Sequence, residues 1–525
     1  MTSSVIARLV SFQNNLANMI VLNTELSPVQ IIVALGGITL LYHILNSIVT
    51  SIQNRNYARS QHCGAMPVRE GSLFGLGTIL KVVKISKASR LLEANFSRFQ
   101  KMQTKTFSMM TNGQSVIYTI DPENVRAMLV TQFDSWELSA LRKTAYTRLL
   151  GHGIFTTDGD AWKHSRAMLK PSFTRGEIGN VEMLERHSES LIKAIRLQQD
   201  QNSVDLGDLF FRMTTDFATE YLFGEPTESL ERGVEDGFCE AFSGGLKYIG
   251  KLSRVGRLGL FFGRTKFQAE RRYLYNFIDR YVRRTLEDAK DGEKFQSRHT
   301  FLHELSRQTN DVVRIRTELL NILIAGRDTT ASLLTNTWHV LSHRPDIVAR
   351  LRKEIASDLP PQKRPTFEEL KSLTYLSAVF KESLRLHPVI PLNTREATVP
   401  TTLPKGGGLD GTQPVFVAKG QPVIYSSYAM QRDKNVFGDD AEEFHPERWL
   451  DTDEGKGIRP GFSYMPFNAG PRICLGQQLA LMEASYVTVR LLQEFESIEA
   501  RDNRPWTEEI GVTCVNKYGA KVALA

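Results

Sequence analysis

The sequence predicts a mainly α-helical fold with a small β portion, preceded by one N-terminal transmembrane helix. Three observations predict it. Val29 to Ile52, 24 residues, contains no Asp, Glu, Lys or Arg. From residue 70 onward apolar residues recur mostly at helical spacing, with capping signals before them and Pro or Gly after. Residues 400–425, rich in Gly and Pro around "QPVFVAKGQPVIYSS", read instead as short strands and turns. With 525 residues, 41% of them apolar, the chain can build a large core. Length alone suggests about three domains, a prior that large single catalytic folds often break.

The apolar stretch is long enough to cross a bilayer with some tilt. Gln30, His43 and Asn46 lend weight to the alternative, a buried core helix. A cleaved signal peptide does not fit, because a long segment precedes the span and no basic run leads into it. Arg55, Arg59 and Arg69 follow the span whereas Arg8 precedes it, which places the large C-terminal part in the cytoplasm. The organisation expected is therefore 1–28 lumenal, 29–52 anchor, 53–75 linker and 76–525 catalytic. Residues 5–22 carry clustered apolar positions that suit a membrane surface or a short lumenal helix.

Beyond the anchor, stretches near 76–86, 114–120 and 385–425 are β-prone, and the remainder is mostly helical. In "PTFEELKSLTYLSAVFKESLRLHP", Thr366 and Glu369 form a capping box. Leu370, Leu373, Leu376, Phe380 and Leu384 then keep helical spacing until Pro388 closes the helix. No internal repeat or low-complexity tract appears.

Composition removes several function classes. Cys63, Cys239, Cys474 and Cys514 are scattered with no CxxC, which argues against a disulfide framework and for a reducing compartment. The net charge of +7 is spread out and leaves no nucleic-acid footprint, although a basic docking face for an acidic protein remains open. No P-loop or GxGxxG sits in a strand–turn–helix context, so nucleotide-cofactor binding within the chain is unsupported.

The cysteine in "FNAGPRICLGQQLA" stands apart. Gly470 and Gly476 permit tight turns and close approach of something flat. Leu479, Met482, Tyr486 and Leu491 recur on a helical face just after it, so Cys474 lies ahead of a helix N-terminus, where a thiolate is favoured. Arg472 adds positive charge. Such a thiolate is a nucleophile or a metal ligand. No His–Asn or His–Asp set marks a cysteine hydrolase, and one sulfur cannot hold zinc or an iron–sulfur cluster. It suffices where a macrocycle supplies the other ligands, as in haem.

Phe467, Gly470, Arg472, Cys474 and Gly476 fill every position of F-x-x-G-x-R-x-C-x-G, which resembles the haem-binding loop of the cytochrome P-450 superfamily. The resemblance covers essentially the whole chain. It implies the P-450 fold, haem b (iron protoporphyrin IX) as cofactor, and Cys474 as the ligand to its iron. Three further stretches agree. "LLNILIAGRDTTASLL" alone would be a core helix with an interior Gly, which costs about 1 kcal/mol against Ala. By resemblance, small residues at 325 and 326 leave room over the macrocycle. Thr329 would hydrogen-bond the dioxygen there, and Asp328 would help deliver protons. Arg327 between them is tolerated by the family pattern. In "KESLRLHP", Glu382 and Arg385 alone would be an exposed i,i+3 pair. The resemblance makes them a buried ion pair completed by Arg448 of "FHPERW". In "GDAWKHSRAMLKPSF", Trp162 and Arg166 alone would be a surface cation–aromatic pair. In the family such residues bind a haem propionate, with Arg395 and Arg472 adding contacts. One departure is that the linker has Pro67 but no proline cluster.

The implied activity is monooxygenation of an unactivated C–H bond. The chain has no flavin or iron–sulfur motif, so NADPH–cytochrome P-450 reductase would supply electrons, with cytochrome b5 a further candidate. Lys163 and Lys170 belong to a candidate docking face. The implied location is the endoplasmic reticulum membrane, in contact with membrane lipid, and the substrate is a hydrophobic small molecule. "GHGIFTTDGDAWKHSRAMLKPSF" and the cysteine loop look most like the fungal membrane-bound branch that hydroxylates n-alkanes and fatty acids at the chain end. A narrow channel for such a chain would draw on Leu323, Val389, Ile390, Leu392 and Val512, each of which also reads as plain core. Two alternatives stand beside this. One is a tailoring oxidase of fungal secondary metabolism acting on an alkyl-bearing polyketide or lipid. The other is a haem-thiolate isomerase, dehydratase or haem-binding non-enzyme, against which the intact Asp328–Thr329 pair argues.

Overall fold

The computed structural model describes residues 27–69, 76–111, 113–173, 181–198, 202–233, 237–255, 263–290, 300–360, 363–451 and 455–525. The segment 5–22 lies outside them. Two compact units emerge, 1–62 and 63–525. The first holds helix α1 (Pro28–Ser60), which continues past Ile52. Its stretch Ile32–Ser60 is long and apolar enough to cross a membrane and is wholly unburied, with Ile32 69% and Leu40 62% exposed. Its apolar side chains face outward, as those of an anchor would.

The second unit is mainly helical. Helix α2 (Leu76–Lys87) replaces the strand expected near 76–86. Its β-branched residues suggest a strand, yet Lys81, Lys84 and Lys87 are exposed while Val82, Val83, Ile85 and Ser86 are half-buried, a helical period. Further helices used below are α3 (Ala140–Leu150), α4 (Gly159–Leu169), α5 (Leu206–Phe223), α6 (Gly237–Val255) and α7 (Val312–His343). After them come α8 (Pro345–Asp358), α9 (Phe367–Ser372), α10 (Thr374–Leu386) and α11 (Gln477–Glu494).

The single helix expected from Thr366 until Pro388 closes it is two, and the second ends at Leu386. The Thr366–Glu369 capping box is present, but the chain breaks at Leu373, where ψ is 89°. Glu354 of α8 accepts hydrogen bonds from the Tyr375 and Leu376 N–H groups, at 2.6 and 3.0 Å. A carboxylate from another helix thus caps α10 and compensates for the break.

Helix α7 runs through the core. Most of it from Ile315 to Ser342 is buried, and Trp338 packs at 0% exposure with its Nε1–H directed to Thr488 of α11. The strands β1 (Val68–Arg69), β2 (Thr106–Thr111), β3 (Gln114–Thr119), β4 (Trp136–Glu137), β5 (Leu392–Ala397) and β6 (Pro422–Ser426) form one sheet, ordered β1–β2–β3–β6–β5–β4. β3 and β6 pair in parallel, Ile117 opposite Val423, and β5 pairs antiparallel with β6, Arg395 opposite Val423. This register fixes the position of Arg395 beside the site.

Candidate functional site

The cysteine loop folds back on itself. The Cys474 N–H donates to the Phe467 carbonyl and the Ile473 N–H to the Gly470 carbonyl, each at 3.0 Å. Gly470 has φ +68°, and a Cβ there would sit 1.9 Å from the Leu129 carbonyl oxygen, so only glycine fits. Asn468 is also left-handed, at φ +63°. Helix α11 begins at Gln477 with Gly476 as its N-cap. Burial pushes the Cys474 thiol up, while the Gly476 N–H and the Arg166 charge pull it back. The residue is nonetheless open by surface area. Its sulfur is therefore reachable by a group lying against the loop.

Around the loop the structure gathers guanidinium groups. Arg472 lies 4.4 Å and Arg166 5.9 Å from the Trp162 ring centre, and Trp162 is buried on α4. Arg166 donates to the Ile473 carbonyl at 3.0 Å, tying α4 to the loop. Arg472 donates to Asp158 Oδ1 at 2.7 Å and to the Thr157 carbonyl at 2.9 Å. Burial, then crowding by Arg395, Arg142 and Arg166, pushes Arg472 down to about 10 against the pull of Asp158. Arg395, on β5 and 3% exposed, donates to the Thr394 carbonyl at 2.9 Å. Arg142 of α3, unforeseen in the sequence, donates to Asn393 Oδ1 at 3.2 Å, and its buried Nε has no partner. Burial lowers its pKa, and Arg395 adds to that. Four guanidiniums with Asp158 as the nearby carboxylate, one N–H orphaned, leave a deficit of negative charge. A flat dianionic macrocycle whose metal takes one thiolate fits this set.

Glu382, Arg385 and Arg448 are brought together. Glu382 and Arg385 are both at 0% exposure. Arg385 uses all five N–H donors. Nε and Nη2 meet the two Glu382 oxygens at 2.8 Å, Nη1 meets the Gln431 and Ala441 carbonyls at 2.9 and 2.6 Å, and Nη2 also meets the Glu443 carbonyl at 2.9 Å. Arg448 Nε donates to Glu382 Oε1 at 3.0 Å, and its other donors reach Asp440 and the Phe437 and Asp440 carbonyls. The Trp449 Nε1–H and the His445 N–H add two donors to the Glu382 carboxylate, at 2.9 Å each. Every charge here is paired, as burial demands.

On α7, Ala325, Gly326 and Thr329 are accessible while Leu319–Ile324 and Thr330–Thr335 are buried. Positions i, i+1 and i+4 share a face, so this strip opens a gap in an otherwise packed helix. There is room beside Gly326, where a Cβ would meet only Ala218, at 3.8 Å, an ordinary contact. Thr329 Oγ1 donates to the Ala325 carbonyl at 2.5 Å. Asp328 pairs with Arg327, with Oδ1 2.7 Å from Nη1. Burial raises the Asp328 pKa and Arg327 counters this.

Among the channel candidates, Leu323 is sealed in the core at 0% exposure, Val389 is buried, Leu392 and Val512 are half-buried, and Ile390 is 37% exposed. Lys163 is exposed and pairs with Asp160 at 3.1 Å, and Lys170 is exposed. Besides Arg142, sequence reasoning missed Glu483. Burial drives this carboxyl up to about 8, with Thr330 offsetting part, and its Oε1 has no partner. Its place on the buried side of α11, nine positions after the cysteine, is visible in the sequence only once the helix is drawn.

A cytochrome P-450 family model matches residues 72–522. The chain is 42% identical over 462 residues to cytochrome P-450 52A5 of Candida maltosa, covering 84% of this chain and 87% of that protein. It is 39% identical over 504 residues to cytochrome P-450 52A12 of Debaryomyces hansenii, covering 92% and 95%. It is also 39% identical over 512 residues to cytochrome P-450 monooxygenase FPY7 of Fusarium mangiferae, covering 94% and 96%.

Proposed function

The chain belongs to the cytochrome P-450 family and is a membrane-anchored haem-thiolate monooxygenase; from that premise we propose that it hydroxylates the terminal carbon of a long-chain alkane or fatty acid. The observation that supports oxygen chemistry most directly is the accessible strip Ala325–Gly326–Thr329 with the acid Asp328 beside it. The substrate class rests on the likeness of residues 151–173 and of the cysteine loop to the fungal alkane and fatty-acid branch. Primary C–H bonds are stronger than inner ones, so the protein must present only the methyl end.

The cofactor of this reading is haem b, which when bound supplies dioxygen activation and insertion of one oxygen atom into the C–H bond. Cys474 holds its iron as a thiolate, with the Gly476 N–H and Arg166 favouring the ionised sulfur. Phe467 and Gly476 shape the loop about the sulfur. Arg166, Arg395 and Arg472, with Trp162 as a packing wall, bind the propionates, and Arg142 joins them. Glu382, Arg385 and Arg448 maintain the architecture behind the loop. Asp328 takes protons from the solvent side, and Thr329 Oγ1, whose own proton goes to the Ala325 carbonyl, accepts a hydrogen bond from the open strip. Two electrons and two protons are consumed per turnover, one oxygen atom entering the product and the other leaving as water. NADPH–cytochrome P-450 reductase delivers the electrons, with cytochrome b5 a second donor, at a face that includes Lys163 and Lys170. Following the positive-inside bias, the anchor sits in the endoplasmic reticulum membrane with the catalytic unit toward the cytoplasm.

A second reading is a tailoring oxidase acting on an alkyl-bearing polyketide or lipid. The chain is as similar to the FPY7 monooxygenase as to 52A12, 39% identical to each over more than nine-tenths of its length. Titration of the ferric spin state in microsomes separates the two. Dodecane or lauric acid should shift the spectrum; a response to a complex metabolite alone refutes terminal hydroxylation. A pyridine haemochrome spectrum identifies the haem, and protease protection of sealed microsomes tests the orientation.

A further inference from the structure

Arg327 is among the largest fully enclosed side chains in the structure, 2% exposed, on the helix that carries the oxygen-facing strip. Burying a guanidinium is costly unless its donors are met. Here three helices meet them. From α5, Thr215 Oγ1 accepts from Nε at 2.7 Å while its own proton goes to the Phe211 carbonyl at 2.6 Å. From α6, Cys239 Sγ and Ser243 Oγ accept from Nη2 at 3.0 and 2.9 Å. The Phe211 and Phe242 ring centres each lie 5.4 Å from the guanidinium carbon. From α7 itself, Asp328 Oδ1 accepts from Nη1 at 2.7 Å.

The guanidinium therefore cannot turn without breaking contacts to two other helices, and whatever it holds is held in one place. It holds only half of the Asp328 carboxylate. Among the described residues no group pairs with Oδ2, and the Asp328 side chain keeps 10% of its surface open. Cys239 and Ser243, which hold Nη2, are half-buried.

We propose that Arg327 is the positioning residue of proton delivery, fixing Asp328 through Oδ1 as a carboxylate so that Oδ2 alone takes up and hands on each proton. A guanidinium does not itself relay protons, since it stays charged at any working pH. Its contribution is orientation and charge. This rests on the reading of Asp328 and Thr329 given above. In productive turnover O2, two electrons, two protons and R–H give R–OH and water. When protons arrive at the wrong place or rate, O2, two electrons and two protons leave as hydrogen peroxide, and R–H is untouched.

The test uses full-length holoenzyme in membranes with its reductase, comparing wild type with Arg327→Gln, Arg327→Lys, Asp328→Asn and the Arg327→Gln/Asp328→Asn pair. Arg327→Gln should keep the ferrous carbonyl spectrum and the substrate-induced spin shift. Its product per NADPH should fall at least about tenfold, with hydrogen peroxide accounting for the missing electrons. Turnover driven by added hydrogen peroxide, which bypasses delivery of protons to dioxygen, should stay within about twofold. Arg327→Lys keeps the charge but not the fork and should recover only part of the coupling. Independently of turnover, infrared difference spectra should show a protonated carboxyl C=O band in Arg327→Gln that is missing from the paired variant. Wild-type coupling in Arg327→Gln, an equal loss of NADPH-driven and peroxide-driven product, or the absence of that band overturns the proposal. Normal coupling in Asp328→Asn sinks the underlying assignment of Asp328 instead. Should Arg327→Gln fail to take up haem, Thr215→Val with Ser243→Ala loosens the anchors without touching the arginine. Unchanged coupling in that variant overturns the proposal equally.

Discussion

Replacing Glu382 by Ala should cost this protein its cofactor. In the native chain the Glu382 carboxylate meets five donors from Arg385, Arg448, Trp449 and His445, with no exposed surface. Removing it leaves the Arg385 guanidinium at 0% exposure with no counter-charge. Breaking a buried pair in this way typically costs about 3–5 kcal/mol. Against a total stability of about 5–15 kcal/mol for a domain, that is a large share, equivalent to a factor of about 10²–10⁴ in the folded-to-unfolded ratio. The loss falls behind the cysteine loop, because the same arginine holds the carbonyls of Gln431, Ala441 and Glu443. Changing both partners, Glu382→Leu with Arg385→Met, removes the orphaned charge but strands those three carbonyls, each worth about 1–3 kcal/mol when buried and unsatisfied. The assay is haem per chain after expression, with the half-life of haem absorbance at fixed temperature. Glu382→Ala should yield apoprotein, the double variant should be no better loaded, and Lys163→Ala at an exposed pair should be unchanged. Full loading of Glu382→Ala with a stability loss below about 1 kcal/mol would refute the argument.

Gly470→Ala combines a left-handed backbone, costing about 1–2 kcal/mol, with a Cβ pressed onto the Leu129 carbonyl, so haem absorbance per chain should fall to near zero. Arg142→Ala removes one of four guanidiniums from the electropositive site and should speed haem transfer to excess apoglobin, with the carbonyl spectrum of the remaining holoenzyme unchanged; a native transfer rate contradicts its place there. Glu483 gives a pH signature. Its carboxyl rises from an ordinary 4.5 to about 8 in the folded chain, so between those values the native state holds a proton that the unfolded state has released. Stability then falls as pH rises through that window, by up to about 1.4 kcal/mol per pH unit. Glu483→Gln should flatten this decline in unfolding measurements from pH 5 to 8, and parallel curves for the two proteins would contradict the burial argument.

What was legible in the sequence is what chemistry writes locally. The cysteine loop needs its glycines and its sulfur within ten residues, and Gly470 against Leu129 shows why no other residue serves. The capping box at Thr366 and Glu369 is local too. The break at Leu373 was not, because the cap comes from Glu354 on another helix. Residues 76–87 misled because Ile and Val propensity outweighed the lysine period, which matters only when one side of the element is solvated. Arg142 carries no motif. It belongs to the site through the fold, which sets α3 against β5 by way of Asn393. Arg448 came from family likeness alone, since nothing near it in sequence announces Glu382 as its partner.

Between Gln431 and Trp449 the backbone forms only single turns, and five N–H groups on two arginines, bonded to its carbonyls, take the place of a ladder. The template for that stretch is a side chain on α10, which leaves the ribosome before the stretch itself, while the sulfur and α11 emerge later still. The chain is thus made in the order in which its parts can be used: mould, casting, then ligand. With Cys474 as the ligand, pigment would enter only after the sulfur and α11 have been made.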